Sequence, residues 1–421
     1  MITTLLDRWL SARWQRTVAS FLGFVALLAV AGRLFSSRGE DGSGAGLTGS
    51  PTVSTALGFA VPVVLAGLGG LVSERAGVIN IGLEGMMILG TWGAGFLGWH
   101  MGPWGALLGG LIGGLIGGAL HALATVTFAV DQTVSGVAIN IASLGICRYL
   151  SDIFFNGKGN EGDLGTIADS PSVANFGSRA SVPFIGDPLQ SLEDRHWFLI
   201  SDLAGVVRGL LVDVAWSSVL LLVLVPVIWY LVWRTPFGLR LRSAGEKPAA
   251  AESLGVNVVR TKWIAVVMSG GLSGLGGAWL VLDSLKYQQG MTANRGYLGL
   301  AAMIFGNWMP AMLFVGAMLF SFSQSVGFQL GYESRALIGA VGMAFALGTI
   351  WTGLRRKVIP TVLMALVSIG TLVFAARNKA INDALIKALP YVLTLVVLAV
   401  ASKRQRPPAA SGVPYIKGHA G

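Results

Sequence analysis

Apolar stretches of roughly 20 residues recur along the whole chain, and no other feature restricts its fold as strongly. Hydrophobic residues make up 53% of the 421 residues and charged residues only 12%. A soluble domain carries about 25% charged residues. Because a helix of roughly 20 apolar residues spans the ~30 Å hydrocarbon core of a bilayer, the sequence predicts an all-α protein that crosses the membrane many times.

The apolar runs indicate about ten to twelve membrane segments, half-helices included. Residues 297–307 are too few to cross alone, so we predict a half-helix or re-entrant element there. Residues 17–31 follow three arginines but lack a small-residue cleavage site, which favours a retained first helix. The glycine-rich run 109–118 is typical of close helix packing. The runs lie near 17–35, 52–73, 84–99, 103–128, 132–150, 214–233, 263–283, 297–307, 309–330, 335–351, 358–376 and 388–402.

Charges in the polar segments orient these runs. With the N-terminus in the cytoplasm, residues 234–262, here called the basic loop, also lie inside, with six basic and two acidic residues and a net charge of +4. The polar insert 151–213 then lies outside, with nine acidic and four basic residues and a net charge of −5. Because Lys and Arg accumulate in cytoplasmic loops, we expect both termini inside, and the basic residues indicate a membrane protein rather than a nucleic-acid binder.

Three parts of the chain can be separated by composition. Residues 1–50 hold the cytoplasmic N-terminal end, the first helix and an external linker, and residues 51–402 form the membrane core. We expect little regular structure in the insert 151–213, apart from an interfacial helix over 197–212. The insert is either a decoration or part of a dock for an external partner. We expect a disordered cytoplasmic tail over 403–421.

The basic loop contains a short helix with recognisable ends. Pro248 suits a first helical turn, the three alanines 249–251 propagate it, and Gly255 ends it. An ordered helix on the positive, cytoplasmic side of a membrane protein predicts a docking surface for another protein.

Two segments share one pattern of Asn and Gly. Asn80–Gly85 and Asn294–Gly299 both read N-x-G-x-x-G, and each precedes a glycine placed two residues before a tryptophan. In the predicted topology they enter from opposite sides, as an inverted-repeat transporter requires. Both interrupt apolar stretches, where a broken helix exposes backbone groups to a cavity. The alternative is chance recurrence among 59 glycines.

A carboxylate at membrane depth requires a partner or a water-filled cavity, and Glu84 lies at the start of an apolar run. We predict first that Glu84 is a structural clamp on the broken-helix region, with direct ligand contact as the alternative. Glu74 and Arg75 are expected to pair with each other or to supply the partner of Glu84. His121 is expected to be a packed, hydrogen-bonded histidine.

Uncharged polar residues in the runs are candidates for a solute path. Interhelical hydrogen bonds explain each of them equally well. Together with Glu84, the candidate path residues are Asn80, Asn140, Asn294, Asn307 and Gln324.

Several chemical motifs are missing from the sequence. It contains no G-x-x-x-x-G-K-[ST] loop for phosphates, no H-E-x-x-H and no Cys/His cluster, and Cys147 is the one cysteine. The acidic residues do not form a chain through the runs, as a proton-driven carrier often shows. The sequence therefore predicts a non-enzyme that binds no metal or cofactor itself and takes energy from an associated cytoplasmic motor.

Four long motifs resemble the permease subunits of ABC importers, over roughly residues 55–355. The branch that the motifs resemble serves nucleosides and related solutes through a basic-membrane-protein-type lipoprotein receptor, and is usually called simple-sugar permeases. The chain departs from the family pattern at two places. One is Lys247, where the family more often has Asn, and the other is the segment 286–289, which precedes the last motif. The motifs are Ser73–Met87, Thr235–Glu246, Ala250–Val256 and Arg295–Trp308.

The resemblance implies a type II importer-like permease in the plasma (inner) membrane. Two permeases, the second a paralogue, would work with two cytoplasmic ATPases that bind ATP and Mg²⁺, and an extracytoplasmic lipoprotein would deliver the solute. Besides these proteins and membrane lipids no partner is implied, and no nucleic acid. A coupling helix would enter a cleft of the ATPase, with Glu246 and Glu252 meeting basic or donor groups. The coupling residues so implied are Gly245, Glu246, Pro248, Ala251, Glu252, Ser253, Leu254 and Gly255.

The expectation of nucleoside cargo follows from the resemblance alone. A ribose- or galactose-type sugar permease is the alternative, and a self-powered secondary transporter is a further one from a different class. The sequence leaves open whether the two permeases are identical copies.

Overall fold

The computed structural model describes residues 22–35, 47–156, 169–177, 186–212, 214–328, 331–354, 356, 358–377 and 405–415. Within these ranges the regular elements are helices. A π-helical turn, Leu123–Thr127, extends the third helix. The helices are α1 (Leu22–Phe35), α2 (Ser50–Arg75), α3 (Leu83–Ala122), α4 (Gln132–Phe154), α5 (Gly186–Glu193), α6 (Ile200–Leu211), α7 (Trp216–Arg234), α8 (Pro236–Glu246), α9 (Pro248–Ser253), α10 (Val258–Ser284), α11 (Arg295–Phe305), α12 (Pro310–Phe328), α13 (Gly331–Leu354) and α14 (Val358–Arg377).

Seven of these helices are long and apolar enough to cross a membrane: α2, α3 with its π-helical extension, α4, α7, α10, α12 and α13. Three shorter apolar helices, α1, α11 and α14, accompany them in the described part of the chain. The prediction of an all-α polytopic membrane protein is confirmed. The short run 297–307 forms the 11-residue α11, as expected of a half-helix. The predicted run 388–402 lies outside the described residues.

The long α3 is a hairpin that contains two of the predicted runs. Gly102 adopts a φ of 69°, which glycine tolerates, and Pro103 follows as the first residue of the returning arm. A Cβ atom built on Gly109 would lie 2.0 Å from the carbonyl oxygen of Gly93. Residues 16 positions apart on a straight helix would be about 24 Å apart, so the two arms run antiparallel in contact.

The returning arm of α3 packs backbone to backbone on α10. A Cβ atom on Gly114 would lie 2.1 Å from the carbonyl oxygen of Gly270, and one on Gly110 would lie 2.8 Å from that of Gly274. Helices approach this closely through glycine and other small residues. The predicted close packing of the run 109–118 is confirmed, and it fixes α10 beside the start of α3.

The chain divides into two compact units. The first unit contains α1, α5, α6, α13 and α14. The second contains α3, α4 and α7 to α11. Their limits are Met1–Leu57, Ala180–Val214 and Ser321–Val392 for the first unit, and Gly58–Arg179, Ala215–Phe320 and Leu393–Gly421 for the second.

In the first unit the insert is more regular than predicted. It forms α5, which the sequence did not suggest, and α6 at Ile200–Leu211, within the expected 197–212. Asp202 accepts hydrogen bonds from Arg33 at 3.2 Å and from Thr48 at 2.6 Å. Arg208 forms an ion pair with Glu193 at 3.0 Å. These contacts order a polar segment that a composition-based reading assigns to a loop.

Candidate functional site

Two interrupted helices meet at Glu84, in the first turn of α3. Its side chain is 5% exposed, and its two oxygens accept hydrogen bonds from the backbone N–H groups of Asn294 at 3.2 Å and Gly296 at 2.7 Å. The first N–H groups of a helix lack intrahelical partners and carry partial positive charge. The Glu84 carboxylate therefore caps α11 from a different segment, which is the geometry of a structural clamp.

The close approach at this point requires a glycine. A Cβ atom built on Gly296 would lie 2.6 Å from the Cα atom of Glu84. The two N-x-G-x-x-G segments singled out by sequence thus contact each other, since Glu84 belongs to one and Gly296 to the other. Their relation as an inverted repeat stays a prediction.

The expected role of Glu74 and Arg75 is wrong. Glu74 accepts a 2.7 Å hydrogen bond from the indole N–H of Trp308, and Arg75 donates to the carbonyl oxygen of Trp308 at 3.0 Å. Neither is bonded to Glu84, whose two oxygens each accept a backbone N–H. The two residues instead anchor the turn after α11, where Asn307 and Trp308 both have positive φ values, 49° and 55°. Such consecutive left-handed residues persist only where contacts hold them.

Asn140 on α4 connects the two broken helices. It is 6% exposed, and its side-chain oxygen accepts the N–H of Gly85 at 2.7 Å. Its amide nitrogen donates to the hydroxyl of Tyr297 at 2.8 Å. Glu84, Asn140 and Asn294 therefore converge at the start of α11. Sequence reasoning missed Tyr297, although its hydroxyl-bearing ring inside the repeated Asn–Gly pattern was an available signal.

Buried side chains satisfy the non-helical backbone between α2 and α3. Gln132 accepts the N–H of Ile79 at 2.6 Å, and a ring nitrogen of His121 lies 3.0 Å from the carbonyl oxygen of Ile79. Asn80, fully buried, donates to Ser269 at 2.8 Å. Irregular backbone at membrane depth needs such partners. His121 is the packed, hydrogen-bonded residue that the sequence predicted, and Asn80 supports the break.

Of the other two path candidates, Asn307 lies in the second unit and Gln324 in the first. Asn307 follows α11, and its side-chain oxygen accepts the N–H of Arg406 at 2.8 Å. Gln324 lies on α12 in the first unit, and its side-chain oxygen has no hydrogen-bond partner among the described residues. The structure thus gathers Glu84, Asn140 and Asn294 at the start of α11.

The basic loop folds into two short helices. The predicted one is α9, which begins at Pro248 and is followed by Gly255 with a φ of 84°. Sequence reasoning missed α8, although Thr235 as N-cap and Pro236 in the first turn mark its start.

The eight implied coupling residues are distributed over two faces of the loop. Leu254 is 86% exposed. One face is exposed and consists of Glu246, Ser253, Leu254 and Gly255, and the other is buried or half-buried and consists of Gly245, Pro248, Ala251 and Glu252.

Residues 405–415, here called the C-terminal strap, lie against the basic loop. The predicted disorder of the tail is wrong for these residues. Ala410 donates its N–H to the carbonyl oxygen of Gly245 at 2.9 Å, and Ala409 donates to the carboxylate of Glu246 at 3.2 Å. The Tyr415 hydroxyl donates to Glu252. Desolvation, together with this hydrogen bond, raises the pKa of Tyr415 to about 12.

Comparison with known proteins shows the family. Residues 52–346 match the family of permease components of the branched-chain amino acid transport system. The chain belongs to this family. The resemblance of the four sequence motifs to ABC permeases is thereby confirmed, and the seven long apolar helices agree with membrane localisation.

Several individual permeases match over most of the chain. The guanosine ABC transporter permease protein NupQ of Bacillus subtilis is 32% identical over 87% of this chain and 96% of its own length. The nucleoside ABC transporter permease protein NupC of Lactococcus lactis is 31% identical over the same shares. The putative glucose ABC transporter permease protein TsgC13 of Haloferax volcanii is 30% identical over 78% of this chain and 93% of its own length. No solved structure gives a significant match.

Proposed function

We propose that this chain is a transmembrane permease subunit of an ATP-driven importer that carries nucleosides across the plasma membrane. One structural observation carries the proposal: the basic loop is in backbone contact with the turn that leads into the broken helix. A Cβ atom on Gly245 would lie 2.2 Å from the carbonyl oxygen of Arg75. A displacement of the loop therefore reaches the segment 76–82 without an intervening side chain.

The energy comes from a separate cytoplasmic ATPase, which binds ATP and Mg²⁺. The exposed face of α9 enters a cleft of this ATPase, with Leu254 as its most exposed apolar side chain at 86%. A lone exposed apolar side chain next to polar neighbours suits an anchor in a partner's pocket. The complex also contains a second permease, a paralogue, and an external solute-binding lipoprotein. Both termini of the chain lie in the cytoplasm.

The cargo assignment is supported by the two relatives named for guanosine and nucleosides, which match almost end to end. The amide and hydroxyl groups at the start of α11, from Asn140 and Tyr297, suit a neutral polar solute. The relative named for glucose favours a simple sugar as the second candidate.

The ATPase contact is tested with Leu254→Asp in the assembled transporter. We expect loss of ATPase co-purification and of uptake, because a charge cannot enter an apolar pocket without a large desolvation cost. Leu285→Asp is the matched control for ATPase co-purification, since Leu285 is also an exposed leucine (43%) of the second unit, at the end of α10 away from the basic loop. Unchanged assembly and uptake in Leu254→Asp would refute the proposed docking.

The cargo is tested separately, by competition for uptake of labelled guanosine. Unlabelled nucleosides should compete and glucose or ribose should not. Uptake of labelled glucose is measured in parallel. No saturable guanosine uptake, with glucose uptake that unlabelled sugars compete for and nucleosides do not, would establish the sugar alternative instead.

A further inference from the structure

The C-terminal strap contacts the coupling region at the buried Gly245, the half-buried Glu252 and the exposed Glu246. Its N–H groups at 409 and 410 bond to Glu246 and Gly245, and its Tyr415 hydroxyl bonds to Glu252. The Tyr415 ring also packs with the buried cluster of Ala244, Ala251 and Val258. Both helices of the basic loop are therefore attached to the strap.

Lys262 adds a further contact at the same place. Its side chain is 2% exposed, and its ammonium nitrogen lies 5.8 Å from the centroid of the Tyr415 ring. A cation at this distance is attracted to the face of the ring. Tyr415 thus contacts both α9 and α10: its hydroxyl bonds to Glu252, and the ammonium group of Lys262 lies over its ring.

The other end of the strap reaches the turn after α11. Arg406 donates its N–H to the side-chain oxygen of Asn307 at 2.8 Å. Asn307 directly follows Gly306, the C-cap of α11. In between, a Cβ atom on Gly412 would lie 2.9 Å from the Cδ1 atom of Ile79, in the segment before α3. One peptide therefore contacts the basic loop, the segment before α3 and the turn after α11.

The strap leaves the outer face of α9 free. Leu254, Ser253 and Gly255 are exposed with the strap in place. A segment that blocked ATPase docking would cover these residues. A segment that braces the helix from behind would leave them open, as observed.

We infer that the C-terminal strap positions the coupling helix, holding α9 to the turn after α11 so that a movement of α9 is passed to the half-helix that Glu84 caps. Tyr415 and Asn307 are the positioning residues at its two ends. The inference rests on the proposed ATPase docking.

The first test removes one end at a time in the assembled transporter. Tyr415→Phe removes the bond to Glu252 but keeps the ring over Lys262, and Asn307→Ala removes the bond to Arg406. We expect normal ATPase co-purification and a normal KM for ATP, with solute uptake per ATP hydrolysed reduced about fivefold or more. Asn307→Asp keeps an acceptor oxygen and tolerates positive φ, so it should restore uptake per ATP.

The outcomes separate the two proposals. Loss of ATPase binding in Leu254→Asp with normal uptake per ATP in both strap variants would overturn the strap inference and leave the proposed function standing. Unchanged assembly in Leu254→Asp would overturn the docking on which both depend. Val413→Ala, in the strap but with an exposed side chain, is the control that should match the wild type.

The second test asks whether the strap stays in place during transport. Glu246→Cys and Ala409→Cys are combined in a Cys147→Ala background, and uptake is compared before and after a short thiol-specific cross-linker joins them. A brace predicts that uptake survives the cross-link. Loss of uptake on cross-linking would refute the inference, and faster uptake in a chain truncated before residue 405 would then show that the strap is a detachable blocker.

Discussion

Replacing Glu84 by Gln tests the clamp on the half-helix most directly. Gln keeps the size of the side chain but offers one acceptor oxygen, while its NH₂ group faces one of the two N–H donors. Hydrogen bonds to a charged group contribute about 1.5–3 kcal/mol each. A carboxylate at a partly buried helix N-terminus contributes up to about 2 kcal/mol more. One hydrogen bond is retained in weakened form. We therefore expect Glu84→Gln to reduce the free energy that holds the start of α11 closed by about 3 kcal/mol.

That loss is measurable at the place where it arises. A change of about 3 kcal/mol alters the ratio of closed to opened states by roughly a hundredfold. Hydrogen exchange of the Gly296 amide, which donates to Glu84 at 2.7 Å, should accelerate by that factor if it exchanges through local opening. The free energy of unfolding in detergent should fall in parallel.

Asp131→Asn is the matched control, a carboxylate-to-amide change at an exposed helix N-cap. Asp131 accepts the N–H of Val134 at 2.9 Å, and Asn caps a helix about as well as Asp. The free energy of unfolding of the Asp131→Asn variant should differ from that of the wild type by only a few tenths of a kcal/mol. A change below about 0.5 kcal/mol in Glu84→Gln, with normal exchange at Gly296, would show that the carboxylate does not hold α11.

Three further changes test neighbouring contacts. Gly296→Ala should lower the free energy of unfolding by about 1–3 kcal/mol, because the added methyl group overpacks the contact with Glu84. Gly145→Ala, with nothing within 4 Å of its added Cβ atom, should not lower it, and thermal unfolding of the two variants measures the difference. Trp308→Phe leaves the buried Glu74 carboxylate without its 2.7 Å donor and should cost about 1–3 kcal/mol and reduce uptake. The pKa of Tyr415 is raised from 10.0 to about 12, so its contribution to stability is complete below pH 10 and is lost as the pH rises to 12. The difference in unfolding free energy between the wild type and Tyr415→Phe should therefore shrink over that interval. A constant difference would contradict the hydrogen bond between Tyr415 and Glu252.

The sequence predicted the elements whose signals are local. Apolar runs indicate membrane helices because length and composition alone decide whether a segment crosses a bilayer. The short helix α9 was predicted from Pro248 and Gly255, and the glycine run 109–118 from the packing rule for small residues. Each of these inferences uses neighbours along the chain.

The contacts at the site depend on residues far apart in sequence. Glu84 was expected to use nearby Glu74 or Arg75, yet its donors are backbone N–H groups 210 and 212 residues away. Because every residue except proline has a backbone N–H group, such donors cannot be recognised from the amino-acid sequence. The C-terminal strap was missed for a similar reason, since Tyr415 is ordered by Glu252, 163 residues earlier. Small and proline-rich segments become ordered when a separate surface supplies their hydrogen bonds.

The glycine seam between α3 and α10 has a consequence for engineering a hardier protein. Replacing helical glycine by alanine usually stabilises a fold by about 0.4–1 kcal/mol, because the unfolded chain loses freedom. This substitution would destabilise the protein at Gly114 and Gly270. An added Cβ atom on either residue would lie 2.1 or 2.2 Å from the carbonyl oxygen of the other and would force the two helices apart. Gly58, Gly145 and Gly370 have open space instead. A thermostabilised form suited to crystallography or cryo-microscopy should therefore be sought at those three sites, with the seam left unaltered.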